Sequence, residues 1–223
     1  MLVNYVLLLN LLWLAYGLPA ATVSEQTDMA DQAQTDKETK LSLEAYYKNL
    51  EESYMYGHCI MKPNTDHSVP NQIRGSVDFR QPLHGGPTEI KVNLEGFEIT
   101  DELTKHGFNI HEYGDLSQGC SSAGPHFNPF GVVHGSPRDS PEYRHFGDLG
   151  NVKENGNGQV IASTKDYLVS LLGPFSILGR SVVVHAGEDD LGRGDNDESL
   201  KTGNAGPRLA CCTVGLSDGS RWK

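Results

Sequence analysis

Between Gly107 and Asp148 the chain carries four of its nine histidines, His111, His126, His134 and His145, and the run closes on an aspartate three residues after the last of them. A fifth, His185, stands alone after the apolar run Ser181–Val184. The stretch is rich in Gly, Pro, Asn and Ser, so these imidazoles cannot line one helix face. They belong to loops that fold back on strands. Several imidazoles gathered with one carboxylate form a metal-donor set. Residues two apart on a strand share a face, so Asn109 and His111 point one way and Ile110 the other. Three histidines (His126, His134, His145) with Asp148 make a closed tetrahedral set of the kind zinc favours. His111 and His185 suit copper, nickel or a second zinc.

The sequence around this stretch has the texture of short strands. His58–Met61, Ile73–Arg80, Ile90–Leu94, Gly107–Glu112, Leu149–Val152, Gln159–Ser163, Ser181–Ala186 and Leu209–Leu216 are rich in β-forming residues and divided by Gly, Pro and Asn. Ile90-Lys91-Val92-Asn93-Leu94 alternates, as a strand with one wet face does. Glu154–Gly158 (ENGNG) reads as a tight hairpin turn. Eight strands and almost no helix predict an all-β antiparallel sandwich or barrel. Tyr113–Arg144 and Gly187–Arg208 are too long for hairpins, and loops of that length in a compact domain are usually functional.

Ahead of the domain, 58–223, lie two other regions. Residues 1–20 are apolar and uncharged and end in a small-residue pattern, Ala15-x-Gly17. They read as a secretory signal cut after Gly17 or Ala20, with a membrane anchor as the alternative. Residues 21–57 form an acidic extension, polar and disordered up to Lys40. Leu43, Tyr46, Tyr47, Leu50 and Tyr54 then recur at helical spacing and predict a short helix, docked on its own domain or used in assembly. The net charge of −11 makes the chain a poor partner for nucleic acid or anionic membrane. Four cysteines, an even number, suit an oxidising compartment and two disulfides. The expected location is therefore the extracellular fluid, with no membrane insertion.

The stretches GFNIHEYGD, GCSSAGPHFNP, RHFGDLGNV and LGRSVVVHAGEDDLGRGDNDESLKTGNAGPRLACC closely resemble the copper/zinc superoxide dismutases, over roughly Cys59–Leu216. The resemblance implies an eight-stranded Greek-key barrel with two long functional loops, and dismutation of superoxide to oxygen and hydrogen peroxide. It implies zinc on His126, His134, His145 and Asp148, and copper on His111, His126 and His185, with His126 the bridge between them. Asp189 resembles the carboxylate that ties the two sites together. Arg208 resembles the arginine that receives superoxide, and Lys201 with Glu198 the charged cluster that guides it. Cys120 and Cys211 match the family's disulfide. Cys59 and Cys212, if paired, would staple the first strand to the last. A homodimer or larger homo-oligomer is implied as well.

One position departs from the family's pattern. Where two copper ligands stand as His-x-His, this chain has Asn109-Ile110-His111. An amide oxygen is a weak donor, and Cu(II) prefers nitrogen. Zinc binding is therefore expected to be firm and copper binding weakened. The altered copper strand and acidic extension are also similar to bivalve plasma proteins of the cavortin and pernin type. A competing reading is accordingly a catalytically impaired plasma metal-binding and adhesion protein. It would use Arg193-Gly194-Asp195 towards an integrin-type receptor.

Overall fold

The computed structural model describes residues 23–51, 53–65, 72–99 and 104–222. The expected signal segment, 1–20, lies outside the described residues. The chain divides into two compact units, Met1–Leu50 and Glu51–Lys223.

In the first unit a single helix, α1, runs Val23–Glu51. It begins well inside the stretch expected to be disordered, and it ends before Tyr54, which lies in a strand. The reason is local. Gln, Glu, Lys, Ala and Met are good helix formers. Side chains four apart also bond to each other, Gln32 to Asp36 at 2.9 Å and Gln34 to Glu38 at 2.6 Å. Leu43, Tyr46 and Tyr47 are exposed on it.

The second unit is the expected all-β barrel. Its strands are β1 (Tyr54–Pro63), β2 (Arg74–Pro82), β3 (Thr88–Glu95), β4 (Lys105–His111), β5 (Ser117–Cys120), β6 (Asp148–Lys153), β7 (Gln159–Asp166), β8 (Ser181–His185), β9 (Arg208–Thr213) and β10 (Gly215–Ser217). Every pairing between them is antiparallel, in the order β6-β4-β8-β9-β1-β2-β3-β7, with β10 added to β1. All eight predicted strands are present, the last of them, Leu209–Leu216, divided into β9 and β10, and β5 is a short addition. The ENGNG turn does join β6 to β7, but not as a hairpin ladder. These strands stand at the two ends of the hydrogen-bonded path, so the turn marks the seam where the barrel nearly closes.

Alternation sorts the side chains. On β3, Ile90, Val92 and Leu94 point inward and are buried, while Lys91 and Asn93 do not. They meet Val77, Phe79, Phe108, Ile110, Val182 and Val184 in one core. β8 is buried along its whole length because both its faces are covered. Val182 and Val184 face the core, whereas Val183 packs with Cys120, Ala123 and Cys211 beneath the first long loop.

Two disulfides fasten this frame. Cys120–Cys211 pins the first long loop to β9, and Cys59–Cys212 joins β1 to β9 across a sequence separation of 153 residues. Cross-links over long separations restrict the unfolded chain most. The double variant Cys59→Ala/Cys212→Ala is expected to lose about 2–4 kcal/mol of stability, read from the denaturant midpoint under oxidising conditions. The Cys120–Cys211 link should persist in it.

Candidate metal centre

β4 and β8 lie side by side, with Asn109 opposite Val183 and His111 opposite Ser181. Asn109 and His111 therefore share the outward face with His185, and Ile110 enters the core as alternation predicts. The long loop between β4 and β6 folds back over this face. Its return is fixed by backbone bonds: Phe127 N–H to the Ile110 carbonyl at 2.9 Å, Ile110 N–H to Gly147 at 2.8 Å, and Gly147 N–H to Phe127 at 3.0 Å. That delivers His126 and His145 to opposite sides of one buried point.

The point is Asp148, fully buried at the start of β6. Its Oδ1 lies 2.9 Å from His126 Nδ1, 2.9 Å from His134 Nδ1 and 3.1 Å from His145 Nδ1. Its Oδ2 accepts from the Gly135 and His145 backbone N–H groups at 3.0 and 2.8 Å. Tautomers can be argued from the partners. His134 Nε2 stands 2.7 Å from Asp189 Oδ1, and His145 Nε2 stands 3.1 Å from the Val132 carbonyl oxygen. Those oxygens only accept, so both Nε2 atoms carry hydrogen, and in the neutral rings both Nδ1 lone pairs face a carboxylate. Only a proton or a metal cation reconciles lone pairs at that distance. The same electrostatics acts on the acids. Burial would raise the Asp148 carboxyl, but the three imidazoles beside it outweigh burial and hold it far below the ordinary carboxylate range. Burial likewise pushes the His134 imidazolium down, yet Asp148 and Asp189 together raise it to about 9.

A second set shares His126. His111 Nδ1 is 2.8 Å from the Gly124 carbonyl oxygen and His185 Nδ1 is 2.9 Å from that of Gly206. Both Nδ1 atoms must donate, so both Nε2 atoms are bare, and they face each other at 3.3 Å. Burial holds the His111 and His126 imidazolium forms below their ordinary range, and lowers His185 to about 4. His126 Nε2 is buried with no protein partner. Two neutral donors and the free nitrogen of the shared ring converge within 4.8 Å, which is a metal site. The set His126, His134, His145 and Asp148 meets the same limit. Both groups fit what the sequence implied, without exception.

Asn109 does not join them. It is completely buried, and neither Oδ1 nor Nδ2 has a hydrogen-bond partner among the described residues. Asp189 is engaged on one oxygen, by His134 Nε2 and by the Leu191 N–H at 2.8 Å, while its Oδ2 has no partner. The carboxylate that the family resemblance places between two sites thus holds only the zinc-side histidine. Gly203 shows how closely the second long loop covers this contact: a Cβ there would stand 2.0 Å from Asp189 Oδ1 and 2.6 Å from His134 Nε2, at φ +66.

A cleft of about 920 Å³ opens above His111, His126 and His185, and Arg208, Lys201 and Glu198 line it. Arg208 is fixed there by Nη1–H to the Cys120 carbonyl and Nη2–H to that of Gly124, both at 2.7 Å. Asn64 supports the same corner, accepting from the Cys120 N–H at 2.8 Å and donating to the Arg208 carbonyl at 3.0 Å. Arg193 of the RGD triplet lies apart, with its guanidinium on both carboxylate oxygens of Asp139 at 2.9 and 3.1 Å. Asp195 is exposed.

Four histidines, His58, His67, His84 and His106, stand outside the metal-donor set. His67 lies outside the described residues, His84 is exposed and His58 pairs with Asp78 at 2.7 Å. His106 is buried, its Nδ1 3.0 Å from the His185 carbonyl oxygen and its Nε2 3.0 Å from Thr104 Oγ1. The signal was present, because His106 alternates with Phe108 and Ile110 on the inward face of β4.

Because His134 keeps its proton up to about pH 9 in the metal-free protein, zinc must displace it. Zinc uptake at neutral pH is expected to release a proton, seen in calorimetry as a heat that varies with buffer ionisation enthalpy. Apparent zinc affinity should climb by up to about tenfold per pH unit towards pH 9 and flatten above it. The metal-free fold has the complementary dependence. The raised His134 stabilises it fully below the unfolded value of 6.5 and ceases to do so as pH rises through about 9.

Residues 73–214 match the family model described as copper/zinc superoxide dismutase (SODC). Similar chains include the superoxide dismutase [Cu-Zn] of Claviceps purpurea and that of Saccharomyces cerevisiae. Each is 53% identical over 146 residues, covering 66% of this chain and 92% of the relative. The protein of the same name from Talaromyces marneffei is 50% identical over 147 residues, with the same coverage. With the barrel and both donor clusters in place, the chain belongs to the copper/zinc superoxide dismutase family.

Proposed function

We propose that the chain is a secreted dismutase-like protein that holds zinc firmly and turns over superoxide at a copper site weakened by Asn109. The observation that carries the reading is the pair of bare Nε2 atoms of His111 and His185, facing each other beneath the cleft with no fourth imidazole beside them. His126, His134, His145 and Asp148 would hold zinc, and His111, His126 and His185 would hold copper.

In dismutation two superoxide anions and two protons become one dioxygen and one hydrogen peroxide. Copper, when bound, supplies the one-electron exchange. The chain's own residues do the rest. Arg208, pinned by two carbonyls, keeps a fixed positive charge at the floor of the cleft and draws a small anion there despite the acidic surface. Lys201 adds positive charge at the rim beside Glu198, whose carboxylate is engaged by Thr202 Oγ1 at 2.8 Å. His126 has Nδ1 turned to Asp148, so Nε2 is the atom at which it can hold a proton and release it to peroxide. His106 positions His185 through its carbonyl.

Export through residues 1–20 and residence in extracellular fluid belong to the same reading, supported by the two disulfides. So does a homodimer or larger homo-oligomer, for which the exposed Ile60 and Leu216, on the paired strands β1 and β10, offer apolar surface. The adhesion alternative has less support, since Arg193 is held on Asp139. Cell attachment that does not change in Asp195→Glu would remove it.

Asn109→His is the direct test. The variant is expected to bind copper at least about tenfold more tightly and to dismute faster, with zinc content unchanged. Equal copper affinity and equal rates in both proteins would defeat the reading that Asn109 weakens the site.

A further inference from the structure

The cleft is far larger than a two-atom substrate requires, and one of its walls is apolar. Val132 and Leu200 line it together with Arg208 and Lys201. The wall is built rather than incidental. Asn128 folds the loop that carries Val132, accepting from the Val132 N–H at 3.1 Å and donating to its carbonyl at 2.8 Å. That carbonyl also meets His145 Nε2. The His134 N–H donates to the Leu200 carbonyl at 2.8 Å, which ties the helical turn Ser199–Thr202 to the same loop. Leu200 nevertheless stays 43% exposed, and Val133 next to it also 43%. Apolar side chains held open to water beside a fixed guanidinium make an amphipathic surface.

We propose that this cleft binds small amphipathic carboxylates, with the head group on Arg208 and Lys201 and the alkyl chain along Val132 and Leu200. Arg208 commits Nη1 and Nη2 to one carbonyl each at close range. A guanidinium has five N–H donors, so some remain for a carboxylate. The chain length then decides affinity, because each methylene laid against the wall gains up to about fourfold. Such a ligand would occupy the approach to His111 and His185 and compete with any small anion for it. The inference concerns the cleft walls and does not depend on copper.

The test is calorimetric titration of the purified, zinc-loaded protein with octanoate, butyrate and octanol. Octanoate is expected to bind with one-to-one stoichiometry, at least about tenfold more tightly than butyrate, and octanol without measurable heat. Leu200→Thr should weaken octanoate several-fold and leave butyrate unchanged. If that variant loses zinc or its melting transition, Val132→Thr serves in its place. Equal affinity for butyrate and octanoate, binding of octanol as strong as octanoate, or no effect of the wall substitution would overturn the proposal. Because binding is read directly, its failure leaves the dismutase reading untouched, and loss of dismutation leaves this one standing.

Discussion

The site hangs on one buried carboxylate. Asp148 faces three imidazole nitrogens at about hydrogen-bond distance, and two of those rings have their hydrogens committed on the far side. Without a metal cation the arrangement keeps a proton on His134; with one, that proton is displaced. The long loop between β4 and β6 contains all three histidines and ends on Asp148 itself, so closing that point also closes the loop. Arg144 secures the same return from outside. It is buried in a 2.7 Å ion pair with Asp166 and donates to the Pro137 carbonyl at 2.6 Å. Breaking either fastening leaves a buried charge unpaired, which costs far more than the contact itself contributes.

On the proposed reading, Asn109 divides the centre into parts of unequal quality. Its buried amide has no partner among the described residues for either polar atom, and neither has Asp189 Oδ2. Leaving buried polar atoms unsatisfied costs about 1–3 kcal/mol per group. The zinc half does not depend on it, because His134 keeps its bond to Asp189. The copper half would depend on it, since three imidazoles would hold Cu(II) less well than four nitrogens.

Most of this was legible in the sequence. Strand alternation located β3 and placed Ile110 inside and His111 outside, and the metal-donor residues stood out by type and crowding. What failed had physical causes. The stretch up to Lys40 is too polar to fold into a core, but helix formation needs only local bonds, and side chains four apart supply them. The ENGNG turn was read correctly as a turn. Which strands pair across it depends on barrel closure, which no local pattern encodes. His106 looked like one more polar residue, although its alternation with Phe108 and Ile110 marked it as buried. Its partner is a carbonyl on β8, a distant contact that spacing cannot reveal.

The most direct measurement is the metal content of the purified protein before and after dialysis against a mild chelator. One zinc per chain is expected to survive dialysis, together with copper that is substoichiometric or removed. Copper retained one-to-one with zinc through the same dialysis would contradict it, because three imidazoles would then hold copper as securely as the closed set around Asp148 holds zinc.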